Sequence, residues 1–199
     1  RHGTGFLCRS GIIAMVSTIA FSCFIVVLAA QRLFELKKSE EHRRRLLMRG
    51  GREHGTGHFP FMALLHALWL IAMPLEVWLL DRPAYFFLAL FAGVLFLLGQ
   101  IFRLLAMREL GERWCARIIT LPERPAITTG IFSYLRHPNY LGVVLEIAAA
   151  PMLHTAYVTA TVFSILNGLI LWVRIKEEEK ALDVDNNYWA SFKTLNKGR

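Results

Sequence analysis

The sequence has few cysteines and no polar stretch that resembles a soluble catalytic domain. Its three cysteines among 199 residues, Cys8, Cys23 and Cys115, form no CxxC pair. This spacing argues against a disulfide framework and against a zinc site. The segment GTGHFP, residues 55–60, lacks the third glycine and the preceding strand of a dinucleotide-binding fingerprint. The polar segments therefore indicate neither a metal centre nor a soluble nucleotide-binding fold.

Long uncharged runs dominate instead. Hydrophobic residues make up 55% of the chain, and its mean hydropathy is +0.41, far too apolar for an ordinary soluble domain. Ile12–Ala30 is a run of 19 uncharged residues and Pro83–Phe102 a run of 20, each close to the roughly 20 residues that cross a bilayer as a helix. Three further spans are predicted at Phe59–Leu80, Tyr140–Leu153 and Ala156–Val173.

The last two spans are predicted to form a helical hairpin. As one helix, Asn139–Val173 would be about 50 Å long at about 1.5 Å per residue, which exceeds the thickness of a bilayer. The chain must fold back, and Pro151–Thr155 is the natural turn. The sequence therefore predicts an all-α integral membrane protein with five transmembrane helices and a C-terminal helical hairpin.

Basic residues are concentrated on one predicted side of the membrane. The segments Arg32–Arg52, Arg103–Arg136 and Arg174–Arg199 hold 20 of the 23 lysines and arginines. Since cytoplasmic loops collect basic residues, the N-terminus is expected outside and the C-terminus inside. The net charge of +8 then reflects topology and attraction to anionic headgroups, and nucleic-acid binding is not indicated. Residues 1–14 are expected to extend upstream of the true start, because the first methionine is Met15, and residues 15–199 to form a single domain.

Two polar clusters should converge at the open end of the hairpin: RHPNY, residues 136–140, at its entrance and RIKEEEK, residues 174–180, at its exit. A helix start offers free N–H groups to a carboxylate, and Tyr140 offers an aromatic face to a cation. Arg174 and Glu178 lie four residues apart on one face, where a plain surface pair would contribute only about 0.3–0.5 kcal/mol. Anchoring at the headgroup level is the simpler alternative for both clusters. A ligand that is part cation and part anion, such as S-adenosylmethionine, would use both.

The motifs also resemble a known family. TGIFSYLRHPNYLG (129–142), a span bearing Asn167 and RIKEEEKAL (174–182) resemble the isoprenylcysteine carboxyl methyltransferase family. The segments QRLFELKKSEEH and RIITLP are similar to its bacterial branch, which includes alkylpyrone and alkylresorcinol O-methyltransferases. The resemblance implies an S-adenosylmethionine pocket lined by His137, Pro138, Asn139 and Tyr140, covered by Ile127 and Phe132 and closed by Glu178, with Arg174 facing the acceptor.

The sequence departs from the family pattern at two points. Phe132 stands where the family usually has a tyrosine, which removes a hydroxyl from the pocket, and the tail DVDNNYWASF lacks the usual Phe-Gly pair. The second departure weakens the case for a prenylated protein as acceptor. An alkylpyrone or alkylresorcinol hydroxyl and a prenylcysteine carboxylate both remain open.

These observations predict an S-adenosylmethionine-dependent O-methyltransferase of the bacterial inner membrane, with a lipidic acceptor and an active site facing the cytoplasm. Arg174 is the candidate catalytic residue because it would hold the acceptor anion. Glu146 and Asn167 are further candidate substrate contacts, since polar residues within the membrane are functional candidates; for Asn167 a helix–helix hydrogen bond is an equal alternative. An NADPH-dependent sterol-type reductase and a non-catalytic scaffold are the rival interpretations, and EEEKAL favours the methyltransferase.

Overall fold

The computed structural model of the protein describes residues 3–122 and 124–186, with side chains from residue 11 onward. Five α-helices and one two-stranded sheet form its framework, joined by single 3-10 turns at Thr56–His58, Gly111–Arg113 and Gly130–Ser133. The helices and strands are α1 (Gly3–Met48), β1 (Arg52–His54), α2 (Phe59–Leu79), α3 (Phe86–Leu110), β2 (Ile118–Thr120), α4 (Pro138–Met152) and α5 (Tyr157–Asn186).

Four of the described helices, α1, α2, α3 and α5, are long and apolar enough to cross a membrane. The fifth expected span is α4, which has only 15 residues and is therefore about 22 Å long. This is shorter than the hydrocarbon core of about 30 Å, so four of the five expected spans are supported and a crossing by α4 is not confirmed. The sequence-predicted hairpin is confirmed: α4 ends at Met152, and α5 begins at Tyr157.

The closed end of this hairpin is fastened to α2 by a carboxylate. Glu76 accepts hydrogen bonds from the backbone N–H groups of Val158 at 3.1 Å and Thr159 at 2.7 Å. These donors lie in the first turn of α5, where no intrahelical acceptor is available. Arg82 pairs with the same carboxylate at 2.9 Å. Glu76, a residue without an assigned role in the sequence, thus caps a helix from a neighbouring one.

The apolar core lies between α1, α2 and the hairpin. The Trp69 indole N–H donates to the backbone carbonyl of Ile147 at 3.3 Å, which ties α2 to α4. The other buried side chains of this core are apolar, and α3 contributes one of them, Phe96. They are Phe21, Ile25, Leu28, Leu65, Met73, Val77, Phe96, Ala149, Ala150 and Ala156.

Helices α3 and α4 approach each other closely at two glycines. A Cβ atom at Gly142 would lie 2.6 Å from the carbonyl oxygen of Gly99 and 2.5 Å from Cγ of Arg103, and a Cβ atom at Gly99 would lie 2.8 Å from the carbonyl oxygen of Gly142. No larger side chain fits at either position without moving a helix. This close approach lets Arg103 of α3 donate a hydrogen bond of 2.8 Å to Glu146 of α4.

A short two-stranded sheet, which the sequence did not predict, accompanies the helices. β1 pairs antiparallel with β2, with Arg52 opposite Thr120 and His54 opposite Ile118. The C-terminal end of α5 is held against it, because the Asp185 carboxylate accepts from the Thr120 hydroxyl and lies 3.1 Å from Nε2 of His54. The sheet therefore fixes the loop before α4 beside α5.

Candidate active site

All eight residues that the sequence assigned to the cofactor pocket or to catalysis surround one cavity. It lies where the 3-10 turn at Gly130–Ser133, the N-terminus of α4 and the second half of α5 meet; we call it the loop pocket. Its enclosed part measures about 120 Å³, less than the roughly 300 Å³ at which ligand sites begin. A ligand of nucleoside size would therefore extend beyond it. The eight residues are Ile127, Phe132, His137, Pro138, Asn139, Tyr140, Arg174 and Glu178.

Tyr140 connects the two polar clusters. Its hydroxyl donates to the Glu178 carboxylate and accepts from Nε of Arg174 at 2.7 Å. The guanidinium of Arg174 also donates to the carbonyl oxygen of Ala116 at 2.5 Å and is almost completely buried. A buried guanidinium needs such partners because an unpaired charge in a low-dielectric interior is costly. One phenol thus lies between a cation from α5 and an anion one turn further along the same helix.

His137 has a carboxylate partner that the sequence did not single out. Its Nε2 lies 3.0 Å from the Glu179 carboxylate, and its ring stacks on that of Tyr140 at a centroid distance of 5.4 Å. Glu179 follows Glu178 directly, whereas Glu177 is exposed. Of the three consecutive glutamates, the second and third therefore contact the RHPNY segment. Helical geometry alone did not identify which two would do so.

The loop pocket is charged asymmetrically. Four arginines line it, Arg113, Arg117, Arg136 and Arg174, together with the Glu178 carboxylate. Such a set can bind a ligand that carries an anionic group and a cationic group at different ends. Asn139 contributes a buried amide oxygen that has no hydrogen-bond partner among the residues that the structure describes. A buried acceptor of this kind costs free energy unless a ligand or water supplies a donor.

A second, larger cavity lies on the other side of Arg174; we call it the inner cavity. Its volume is about 380 Å³, within the range of small-molecule sites. Helices α1 and α2 contribute most of its lining residues, and most of these are apolar, including Ala29, Leu33, Ala63 and Leu70. Trp114, Asn139, Tyr140 and Arg174 line both this cavity and the loop pocket. These four residues form the shared wall between a polar site and an apolar one.

A model of the isoprenylcysteine carboxyl methyltransferase family matches residues 91–184, which include the whole shared wall. YpbQ, an uncharacterized protein of Bacillus subtilis (strain 168), is 34% identical over 163 residues, covering 81% of this chain and 96% of its own. The chain belongs to this methyltransferase family. An uncharacterized protein of Haemophilus influenzae is 28% identical over 169 residues, covering 82% of this chain and 93% of its own. No solved structure matches the chain significantly.

Members of the isoprenylcysteine carboxyl methyltransferase family are membrane-bound enzymes that use S-adenosylmethionine. The match and the four spanning helices together support a membrane methyltransferase. The resemblance read from the motifs is confirmed at the level of the family. Its finer part, the branch that methylates alkylpyrones and alkylresorcinols, stays a prediction.

The two candidate substrate residues within the membrane are placed differently. Asn167 is buried and lines the inner cavity. Glu146 is also buried, but its carboxylate accepts hydrogen bonds from Arg32 and Arg103, and it lies behind the cavity lining. The structure therefore brings Asn167, but not Glu146, to the same cavity as Arg174.

Sequence reasoning missed the β2 segment and the residues before it as part of the site. Trp114, Arg117 and the strand Ile118–Thr120 all line the loop pocket. Arg117 lies over the Phe59 ring at 4.1 Å and pairs with Glu53 at 2.8 Å. Burial alone would raise the pKa of the Glu53 carboxyl, but hydrogen bonds from Arg117 and Arg43 hold that pKa below its usual range. The only signal was RIITLP, a β-branched run inside a charged loop.

Proposed function

We propose that the protein transfers a methyl group from S-adenosylmethionine to an oxygen atom of a lipidic acceptor. The loop pocket would hold the cofactor, and the inner cavity would hold the acceptor. The observation that carries this proposal is the shared wall, because Arg174 and Tyr140 line both cavities. A polar ligand on one side and an apolar ligand on the other would meet there.

The residues of the loop pocket suit S-adenosylmethionine, which supplies an electrophilic methyl group on a sulfonium. Its carboxylate matches the arginines of the pocket, and its two cationic groups match Glu178 and the aromatic face of Tyr140. The unpartnered amide oxygen of Asn139 offers an acceptor to an amino group. The stack of His137 on Tyr140 keeps both side chains in place for either contact.

Arg174 is the residue that we assign to the acceptor. Methyl transfer forms an O–CH₃ bond as the S–CH₃ bond breaks, so the attacking oxygen must be anionic and in line with that bond. A carboxylate is already ionised, and the Arg174 guanidinium would hold it; an acidic enol or phenol would be stabilised as its anion by the same charge. Because positioning supplies most of the rate in such displacements, one held oxygen atom is sufficient.

The inner cavity favours a lipidic acceptor over a water-soluble one. Its apolar lining lies between α1 and α2, at the level of the spanning segments. Binding of an apolar chain there would be favoured by about 25 cal/mol for each Å² of apolar surface removed from water. Asn167, two helical turns from Arg174 on α5, offers a polar side chain to an acceptor.

The proposed topology places the loop pocket on the cytoplasmic side, where S-adenosylmethionine is made. Basic residues cluster at that end of the helices. Single cysteines introduced into a cysteine-free background at the exposed Met48 and at Pro122 should react with an impermeant thiol reagent only in inverted vesicles. A cysteine at Arg82 should react from outside. Labelling of Pro122 and Arg82 on the same face would overturn the topology.

The deciding experiment titrates purified, detergent-solubilised protein with S-adenosylmethionine and, separately, with NADPH. The proposal expects saturable binding of the first ligand only, and binding of NADPH alone would support the reductase instead. Glu178→Ala and His137→Ala should each raise the dissociation constant at least tenfold, or about 1.4 kcal/mol. Glu177→Ala is the matched control, because this glutamate is exposed. Equal effects of all three would refute the assignment of the pocket.

A further inference from the structure

A second group of charged side chains lines the inner cavity, although most of its lining is apolar. Arg32 and Glu35 of α1 and Arg103 of α3 line it, and we call these three residues the charged wall. Their side chains are mostly buried, with exposures of 11%, 13% and 8%. Charged groups at this depth are costly and mark functional positions in membrane proteins. Apolar side chains alone could line such a cavity, so the three charged residues call for another explanation.

The charged wall is neutral as a whole once its partner behind the lining is included. Glu35 accepts hydrogen bonds from Arg32 at 2.6 Å and from Arg103, and Glu146 accepts from the same two arginines. Two positive and two negative charges thus compensate each other. Within the described part of the chain, the Nε–H groups of both arginines and one oxygen of Glu146 have no hydrogen-bond partner. The network is therefore charge-balanced but short of hydrogen bonds.

Glu146 gives the depth of the charged wall relative to the shared wall, because it accepts hydrogen bonds from both arginines of the charged wall. On α4, Asn139 and Glu146 are seven residues apart, and on α5, Arg174 and Asn167 are also seven residues apart. Seven residues are two helical turns, so each pair lies on one face with a separation of about 10 Å along the helix axis. Both helices of the hairpin therefore present a polar residue at the reactive end and a second one two turns deeper.

We infer that the acceptor carries a second, uncharged polar group, a hydroxyl, two helical turns or about 10 Å from the oxygen that is methylated, and that the charged wall binds it. This inference rests on the proposed function. A hydroxyl can accept from a guanidinium and donate to a carboxylate, so it matches a wall that presents both. An anionic group would be repelled by Glu35 and Glu146, and a cationic one by Arg32 and Arg103. Neutrality of the wall thus favours a neutral group.

A purely structural role explains less of the geometry. The four charges do link α1, α3 and α4, and ion pairs of this kind can fix helix positions. Yet that role needs only contacts between the helices, whereas three of the four side chains line the inner cavity. A second polar contact would also fix how deeply the acceptor enters. It would thereby place the reacting oxygen at Arg174.

The test uses two synthetic acceptors of equal chain length with the same reactive phenol. One carries a hydroxyl on the chain at the distance of two helical turns, about 10 Å, from the phenol oxygen, and the other has a CH₂ group there. Binding is measured by thermal stabilisation of the detergent-solubilised protein, and turnover by transfer of labelled methyl. We expect the hydroxylated acceptor to bind at least tenfold more tightly and to have a correspondingly higher kcat/KM. Equal binding of the pair would overturn the inference.

Glu35→Gln tests the wall directly, since it removes one charge while keeping a similar shape. The preference for the hydroxylated acceptor should fall to within about threefold, mainly through weaker binding of that acceptor, while S-adenosylmethionine affinity stays unchanged. Glu40→Gln is the control, because Glu40 lies on the same helix but pairs with Arg43 and Arg44 away from the cavity. A full preference retained in Glu35→Gln, or an equal loss for both acceptors, would refute a role in recognition. Failure of the proposed function is distinguishable, because S-adenosylmethionine itself would then not bind.

Discussion

Replacing Gly142 by alanine should separate α3 from α4 and destabilise the protein. The added methyl would lie 2.6 Å from the Gly99 carbonyl oxygen and 2.5 Å from Cγ of Arg103. The first of these atoms belongs to the backbone of a helix, so no change of rotamer removes the clash. The two helices must instead move apart by most of an ångström. This would also stretch the hydrogen bond between Arg103 and Glu146.

Two effects of opposite sign determine how far the free energy of unfolding falls. Inserting a methyl into a packed contact costs about 1–3 kcal/mol, and a backbone clash belongs at the upper end of this range. Alanine in place of glycine within a helix stabilises the folded state by up to about 1 kcal/mol. Gly168→Ala on α5 has only the second effect, because nothing lies within 4 Å of a Cβ atom there. The difference between the two variants therefore isolates packing, at about 2–3 kcal/mol.

Thermal unfolding of the detergent-solubilised protein, followed by circular dichroism, measures this difference. For a chain of this size each kcal/mol corresponds to about 2–4 °C, so Gly142→Ala should unfold about 5–10 °C below Gly168→Ala. Gly93→Ala is a second control on α3, since its nearest neighbour would be Cδ2 of Leu153 at 3.8 Å. If all three variants unfold within about 1 °C of one another, the glycine contact between α3 and α4 does not exist as described.

Three further changes test the site and its support. Arg174→Ala should leave S-adenosylmethionine affinity within about threefold but lower turnover by about 10²-fold or more. Arg174→Lys should recover part of the turnover. Loss of cofactor binding in a folded variant would instead assign Arg174 to the cofactor site. Tyr140→Phe should also reduce turnover, since it removes the bond that orients Arg174, yet calorimetry should find cofactor affinity equal or higher because Glu178 is freed; a tenfold weaker affinity would contradict this. Glu76→Gln should cost about 1–3 kcal/mol of unfolding free energy, because the N–H groups of Val158 and Thr159 lose a charged acceptor; an unchanged melting temperature would refute the capping role.

The hairpin could be predicted from the sequence because it depends on length alone. No bilayer accommodates a single helix from Asn139 to Val173, and proline marks the turn. The turn also implies that RHPNY (136–140) and EEE (177–179) lie close together. This conclusion does not depend on how the side chains pack. The same reasoning does not establish that α4 crosses the membrane, since an apolar run as short as Tyr140–Leu153 does not fix how far a helix penetrates the bilayer.

The position of Arg103 could not be predicted. The sequence suggested that the third span ends just before it, because an arginine within a membrane is costly. The helix instead continues to Leu110, since Glu35 and Glu146 compensate the charge. These partners lie 68 and 43 residues away in sequence. Helical periodicity describes one element at a time and contains no information about which elements face each other.

The sheet was missed for a related reason. β1 and β2 have three residues each, too few for an alternating pattern to be recognised. Each strand forms only by pairing with the other, and in the sequence α2 and α3 lie between the two strands. The family motifs identified the pocket residues but not the Tyr140 hydroxyl as the link between Arg174 and Glu178, because a motif records residue types and not hydrogen bonds.

The bond between Tyr140 and Glu178 makes binding a competition. Any cationic ligand that uses the Glu178 carboxylate must share it with, or take it from, a hydroxyl of the protein itself. The free energy of that internal bond, about 1.5–3 kcal/mol for a bond to a charged group, is subtracted from the affinity of donor and product alike. If S-adenosylmethionine binds here as proposed, loss of its methyl group removes the sulfonium charge, and the spent cofactor would compete less well for Glu178. The Tyr140 hydroxyl would then help to release the product before the next turnover.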